Sequence, residues 1–282
     1  MPLFLAAAFM LLILAVGAIW LMNQWKPEDT VTEAALLDVE PEPDAETLEL
    51  IQYDNAPRDL QELIDRYGAA QGGPDKIDQI RSLRLKGVIH QNDEELEFQQ
   101  IKRVPSSSRF SIATNDLELV TYTNGVEAWR QYGGHPENYR VTGDERDSVI
   151  RDSIIISPIW IYRDDPNVVS RMSDEMLDGV VYHRVKVILP GQREAVYWID
   201  PETYVEKQIV TTNADGKQNV TQFKDYRKLG WLTIPYEIDF TVDDKVISKI
   251  ELEKAELNIG VFESYFDPPE MVGDWPPQSG AN

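Results

Sequence analysis

Apolar and polar positions along this chain follow three regimes. The first is an unbroken apolar run: residues 3–22 (LFLAAAFMLLILAVGAIWLM) carry no charge and no strongly polar side chain. About 20 such residues are what an α-helix needs to cross the hydrocarbon core of a bilayer. Trp20 and Trp25, followed by Lys26, suit the interfacial belt at the end of such a helix. Residues 1–25 therefore read as an uncleaved transmembrane anchor. The competing reading is a secretory signal with a small-residue cleavage site at Val16-Gly17-Ala18. It fits less well, because a signal has an apolar region of only about 7–15 residues and opens with basic residues. Lys26 alone would place its side of the anchor in the cytoplasm.

The second regime, residues 26–56, has no period. It holds ten acidic residues and one basic residue, with Pro41 and Pro43 inside it. One sign of charge and few apolar side chains predict an extended, disordered tether. The third regime, residues 57–268, reads as one folded domain. Leu60, Leu63, Ile64 and Tyr67 fall at helical spacing and predict a helix over 57–69. Gly72-Gly73-Pro74 breaks it, and a short helical turn follows with Ile77 and Ile80. The period then changes from 3.6 to 2. Alternating runs around Leu83–Ile89, Leu96–Phe98, Phe110–Ile112, Leu117–Leu119 and Trp129 predict five strands, the last entered through an Asn124-Gly125 hairpin turn. A helical interruption over 145–162, rich in Ile and broken at Pro158, separates these from about six more strands between Val181 and Leu252. Strands joined by hairpin turns make an antiparallel sheet that must curl or close to hide its apolar face. The tail, 269–282, carries Pro269, Pro276 and Pro277 and reads as extended and non-globular.

Charge and chemistry narrow the function. The formal net charge is −22, from 27 basic and 49 acidic residues. Such a surface repels phosphate backbones, which argues against nucleic acid as a partner. There are no cysteines, so disulfides, thiol nucleophiles, thiolate metal sites and a lipid-acceptor cysteine are excluded. His90, His135 and His183 lack the spacing that metal sites favour. Thr211–Gly216 superficially resembles a calcium loop, but Thr211 stands where its first Asp belongs and Gln222 where its bidentate Glu belongs. Asn219-Val220-Thr221 matches a glycosylation acceptor, a three-residue pattern that chance often supplies. Neither a nucleophile elbow nor a phosphate-cradling loop nor a zinc-protease motif is present, and paired acids such as Asp164-Asp165 sit at turns. The expectation is a protein that is not an enzyme and uses no metal or cofactor. What the pattern leaves is a large apolar sheet face and an Ile- and Trp-rich helical segment. These fit a packed core under a covering helix and a ligand cavity under a lid equally well.

Several local sequences, in order, resemble one family. Leu63-Ile64-Asp65-Arg66-Tyr67 through Gly72-Gly73 to Ser82-Leu83, and then Asn124-Gly125-Val126-Glu127-Ala128-Trp129, are similar to its passage from helix to first strand and its D-G-x-x-x-W hairpin. Asp178-Gly179, Tyr197–Tyr204 and Asp225-Tyr226-Arg227 with Gly230-Trp231 are similar to its later strand–turn–strand units. Over 57–268 the chain resembles the LolA/LolB-like outer-membrane lipoprotein-sorting family. The resemblance implies a mainly β fold with helices: a curled antiparallel sheet, or half-open β-barrel, of about 11 strands with an internal helical lid. It also implies an apolar cavity that takes lipid or lipoprotein acyl chains in the periplasm. On that basis the cavity wall and lid are assigned to Leu85, Phe98, Phe110, Leu119, Trp129, Ile150, Ile154, Trp160, Val185 and Ile238. With the N-terminal helix as membrane attachment, the domain would sit on the periplasmic side of the inner membrane. Two features depart from the family. This chain combines an anchor with the lack of a lipoprotein cysteine, and its Ser106-Ser107-Ser108 loop is polar where membrane-active receptors carry an apolar loop. The alternative is an envelope interaction or sensor module that binds a partner protein through the same fold.

Overall fold

A computed structural model describes residues 56–113, 118–132, 137–189, 193–212 and 218–274. The expected anchor and tether lie outside the described residues, as do His135 and the turn at Asp215-Gly216. Among the described residues no helix is long and apolar enough to cross a membrane.

Helix α1 spans Leu60–Ala70. It starts where the Asp59 side chain accepts the Glu62 backbone N–H at 2.9 Å, which satisfies one of the unpartnered amides of a helix N-terminus. Glu62 holds Arg58 at 3.0 Å and Arg66 at 2.6 Å on the outer face, while Leu63, Ile64 and Tyr67 are buried on the other. Gly72, at φ 101°, lets the chain reverse after α1. Helix α2, Pro74–Ile77, opens with the proline whose fixed φ suits a first turn.

Fourteen strands then form one sheet, curled and unclosed. The first group is β1 (Ser82–Gln91), β2 (Glu94–Arg103), β3 (Ser107–Ala113), β4 (Glu118–Thr123), β5 (Ala128–Tyr132) and β6 (Asn138–Val141). The second is β7 (Val169–Leu177), β8 (Val180–Leu189), β9 (Arg193–Ile199), β10 (Glu206–Thr212), β11 (Gln218–Leu229), β12 (Leu232–Val242) and β13 (Lys245–Leu257). Each group is an antiparallel meander, and pairing of β1 with β13 joins them. Strand β14, Met271–Asp274, lies parallel to β6 at one edge, and β7 is the other edge. The about 11 strands expected from sequence fall short by β6, β7 and β14. All three are at or next to an edge, where side chains need not alternate between core and water.

Between the meanders the expected helical stretch is two helices, α3 (Gly143–Asp152) and α4 (Pro158–Ile161), with a non-helical link between them. Helix α3 covers β4 and β5, whereas α4 packs against β8 and α1. Side chains of the concave sheet face, among them Leu83, Leu85, Phe98, Val185, Ile238 and Ile250, form one core cluster with Leu63, Ile64 and Tyr67 of α1 and Trp160 of α4. After β13 the chain turns back over the convex face. Asn258 Oδ1 accepts the Arg81 N–H at 2.7 Å, Glu263 meets Arg103 at 3.4 Å, and a 3-10 helix, Glu263–Phe266, packs on β3. The stretch expected as a non-globular tail thus includes strand β14.

Candidate functional site

A cavity of about 40 Å³ lies where α1, α2 and the link into α4 meet the concave face. Ile77, Ile80 and Leu83 wall one side, Leu232 and Ile234 another, and Ile155, Ile156 and Trp160 cover it. Trp160 is held by a close approach: a Cβ added to Gly68 of α1 would sit 2.2 Å from its ring. That fit requires glycine at position 68. The Arg163 guanidinium stacks over the same indole, 4.5 Å from the ring centroid.

One carboxyl interrupts these apolar walls. Glu206, at the start of β10, is buried and lines the cavity. The Tyr67 hydroxyl donates to its Oε1 at 2.9 Å and the Ser157 hydroxyl to the same oxygen at 3.1 Å. Tyr226 donates to the Glu206 backbone carbonyl at 2.6 Å. Burial pushes the carboxyl up to about 7, against the opposing effect of the Tyr67 and Ser157 hydrogen bonds. Tyr67, Tyr197 and Tyr226 are all pushed well above the usual phenol range, by burial first and by the Glu206 charge second. Glu206 therefore joins helix α1, the link before α4 and strand β10 at one point.

A second buried polar group lies under α3. Lys102 is fully buried on β2 and donates to the Ile154 carbonyl of the link at 3.1 Å. Burial pushes Lys102 down to about 7 and Asp152 up to about 8, so both are driven toward their neutral forms. On the same sheet face Arg130 of β5 reaches Thr121 at 3.0 Å and Glu145 of α3 at 2.8 Å. The Ser153 hydroxyl donates to the Ser106 carbonyl. The link over residues 153–157 is thus fixed to the sheet at both ends by buried polar contacts.

Six of the ten residues assigned from sequence, Leu85, Phe98, Phe110, Trp160, Val185 and Ile238, fall in the one core cluster. Only Trp160 lines the cavity. Leu119 is buried outside that cluster, and Ile150 and Ile154 are half-buried on and after α3. Trp129 stacks on Tyr122, its cross-strand partner, with centroids 5.6 Å apart. Their neighbours Arg130 and Thr121 point inward, so Trp129 is on the convex face, opposite Phe98 and Phe110. His90 is half-exposed between Glu95 and Glu251, at 3.6 and 3.8 Å. His183 is buried 2.9 Å from Asp174. Among the described residues no group of three or more His, Cys, Asp or Glu is placed to hold a metal ion.

Glu206 was not among the residues singled out from sequence. Simple alternation puts it on the face opposite Val205 and Ile209, but a register shift between Glu206 and Gln208 turns it inward. Tyr67 offered a partial signal, as a hydroxyl within the apolar stripe of α1 that needs a buried partner.

No family model matches the sequence, and no curated protein matches it. Solved structures do resemble it. A DUF1329 family protein from Desulfovibrio piger is 12% identical, with a TM-score of 0.53 over 76% of this chain and 98% of that one. A putative outer membrane lipoprotein-sorting protein domain from Vibrio parahaemolyticus is also 12% identical, with a TM-score of 0.52 over 76% and 97%. A LolA superfamily protein from Nitrosomonas europaea is 10% identical, with a TM-score of 0.50 over 74% and 98%. At these identities the likeness speaks to architecture alone, and it agrees with the mainly β, curled sheet. This chain has a LolA-like fold.

Proposed function

We propose that this chain is a non-enzymatic binding protein of the bacterial envelope. It takes the acyl chains of lipids or lipoproteins between the α4 lid and the concave face of its sheet. In this reading residues 1–25 anchor it in the inner membrane and the folded domain is periplasmic. The observation that carries the reading is the apolar part of the concave face, running from Leu83, Leu85 and Phe98 to Val185, Ile238 and Ile250, beside a helix of only four residues, α4. An acyl chain needs apolar wall rather than hydrogen bonds, because each buried methylene is worth about 0.8 kcal/mol and ten of them about 8 kcal/mol.

In this reading the cavity of about 40 Å³ belongs to a closed form of the chain. Small-molecule sites occupy roughly 300–1,000 Å³, so an acyl chain enters only when the Trp160 indole swings away from Gly68. The full-length chain, extracted from membranes and examined by native mass spectrometry, is expected to carry co-purified lipid or acylated peptide. A chain that is lipid-free and takes up no fluorescent acyl probe sinks the proposal. The same small volume favours a second reading, in which the interior is structural and the domain docks a partner protein. Co-purification of one protein partner in place of lipid would select it.

A further inference from the structure

The cavity combines apolar walls with a single ionisable side chain that is not a phenol. Its lining includes Glu206, Tyr67 and Tyr226 but no lysine, arginine or histidine. The hydroxyls of Tyr67 and Ser157 both donate to Glu206 Oε1, and that of Tyr226 donates to the Glu206 carbonyl. The hydroxyl protons at this end of the cavity are therefore already committed to Glu206. A carboxylate offers about four acceptor sites, of which these contacts use two. A ligand head entering here meets acceptor capacity and negative charge, with no cation to offset it. An incoming anion would face like charge in a dry site, whereas an N–H group finds an acceptor waiting.

From this arrangement we infer that the cavity selects apolar chains bearing an N–H donor at the head, as an amide or an ammonium, and turns away free fatty-acid anions, with Glu206 as the discriminating residue. The inference rests on the acyl-binding reading above and adds the class of head group. It explains the placement of a buried carboxyl in a largely apolar cavity. A site that used its hydroxyls to hold a ligand carboxylate would leave their protons uncommitted.

The test uses the full-length chain at pH 8 with diazirine-bearing alkyl ligands, and adducts are mapped by mass spectrometry to residues 153–163 and 230–236. Dodecylamine is expected to label these segments at least tenfold more than dodecanoate. Glu206→Gln, which keeps shape and one acceptor, should bring the two within about twofold. A neutral pair on the parent chain separates donor from charge and needs no variant: N-methyldodecanamide should label several-fold more than N,N-dimethyldodecanamide. Equal labelling within either pair on the parent overturns the inference while leaving acyl binding intact. A preference that survives in a folded Glu206→Gln variant also overturns it. Absence of labelling by all four ligands overturns the acyl-binding reading and this inference together.

Discussion

Glu206 also gives the molecule a stability that depends on pH, and the sign follows from its environment. Its folded-state value of about 7 lies above the ordinary 4.5, because burial disfavours the charged form. Between those two values the folded state binds more protons than the unfolded state, so stability is greatest below about 4.5 and falls as pH rises toward 7. A shift of that size corresponds to roughly 3 kcal/mol. Asp152, pushed up to about 8, acts in the same direction. Urea unfolding at pH 5 and pH 8 should show Glu206→Gln losing less stability over that interval than the parent. Equal losses would mean that Glu206 is ionised and well solvated in the folded chain. Little of this chemistry was legible in the sequence. Phe98, Phe110, Val185 and Ile238 were readable because alternation sorts apolar side chains to one face. In β5, by contrast, Ala128, Trp129 and Arg130 are buried in succession, so alternation gives no clue that the arginine faces inward and the tryptophan outward. Nothing in the sequence marks Lys102 and Arg130 as buried, since long basic side chains are almost never fully buried without partners.

At the scale of elements, the seating of α4 rests on shape as much as on chemistry. Helix α4 is four residues long and has no side-chain cap, so it depends on what Trp160 touches. A Cβ at position 68 would overlap the Trp160 ring at 2.2 Å, and either α1 or the indole must give way. Gly68→Ala is expected to cost about 1–3 kcal/mol, as overpacking does, while holding α4 away from α1. Its signature is therefore lower thermal stability together with faster uptake of an acyl probe. A variant that melts lower and shows slower or unchanged uptake would make α4 a fixed core element rather than a lid. The helical break at Pro158 could be read from sequence, because proline disfavours helix in the residue before it. The packing of α4 on α1 could not, because it joins positions far apart in the chain through one glycine. The C-terminal strap was hidden for a different reason. Four residues of β14 pair along a single strand and bury little, so they leave no periodic trace.

Taken whole, the molecule is two meanders that meet along one line. Turns and alternation made each meander readable as a series of strands, but nothing local specifies that β1 should lie against β13, where Leu83 faces Leu257. Within the meanders neighbouring strands are neighbours in sequence, so closing each hairpin costs little chain entropy. The β1–β13 line closes a loop containing nearly the whole domain. Gly87 tightens it further, since a Cβ there would lie 2.0 Å from the Glu251 carbonyl oxygen. The expected consequence is an order of assembly in which the two halves gain their strands first and zip together last, with the closing step setting the folding rate. Cutting the backbone in the exposed stretch 164–167 would yield two pieces whose bare edges are each other's missing strand. Co-expressed, they should recombine into a domain with the parent's circular dichroism. Substituting Gly87 with Val in one piece should prevent the union without altering the other.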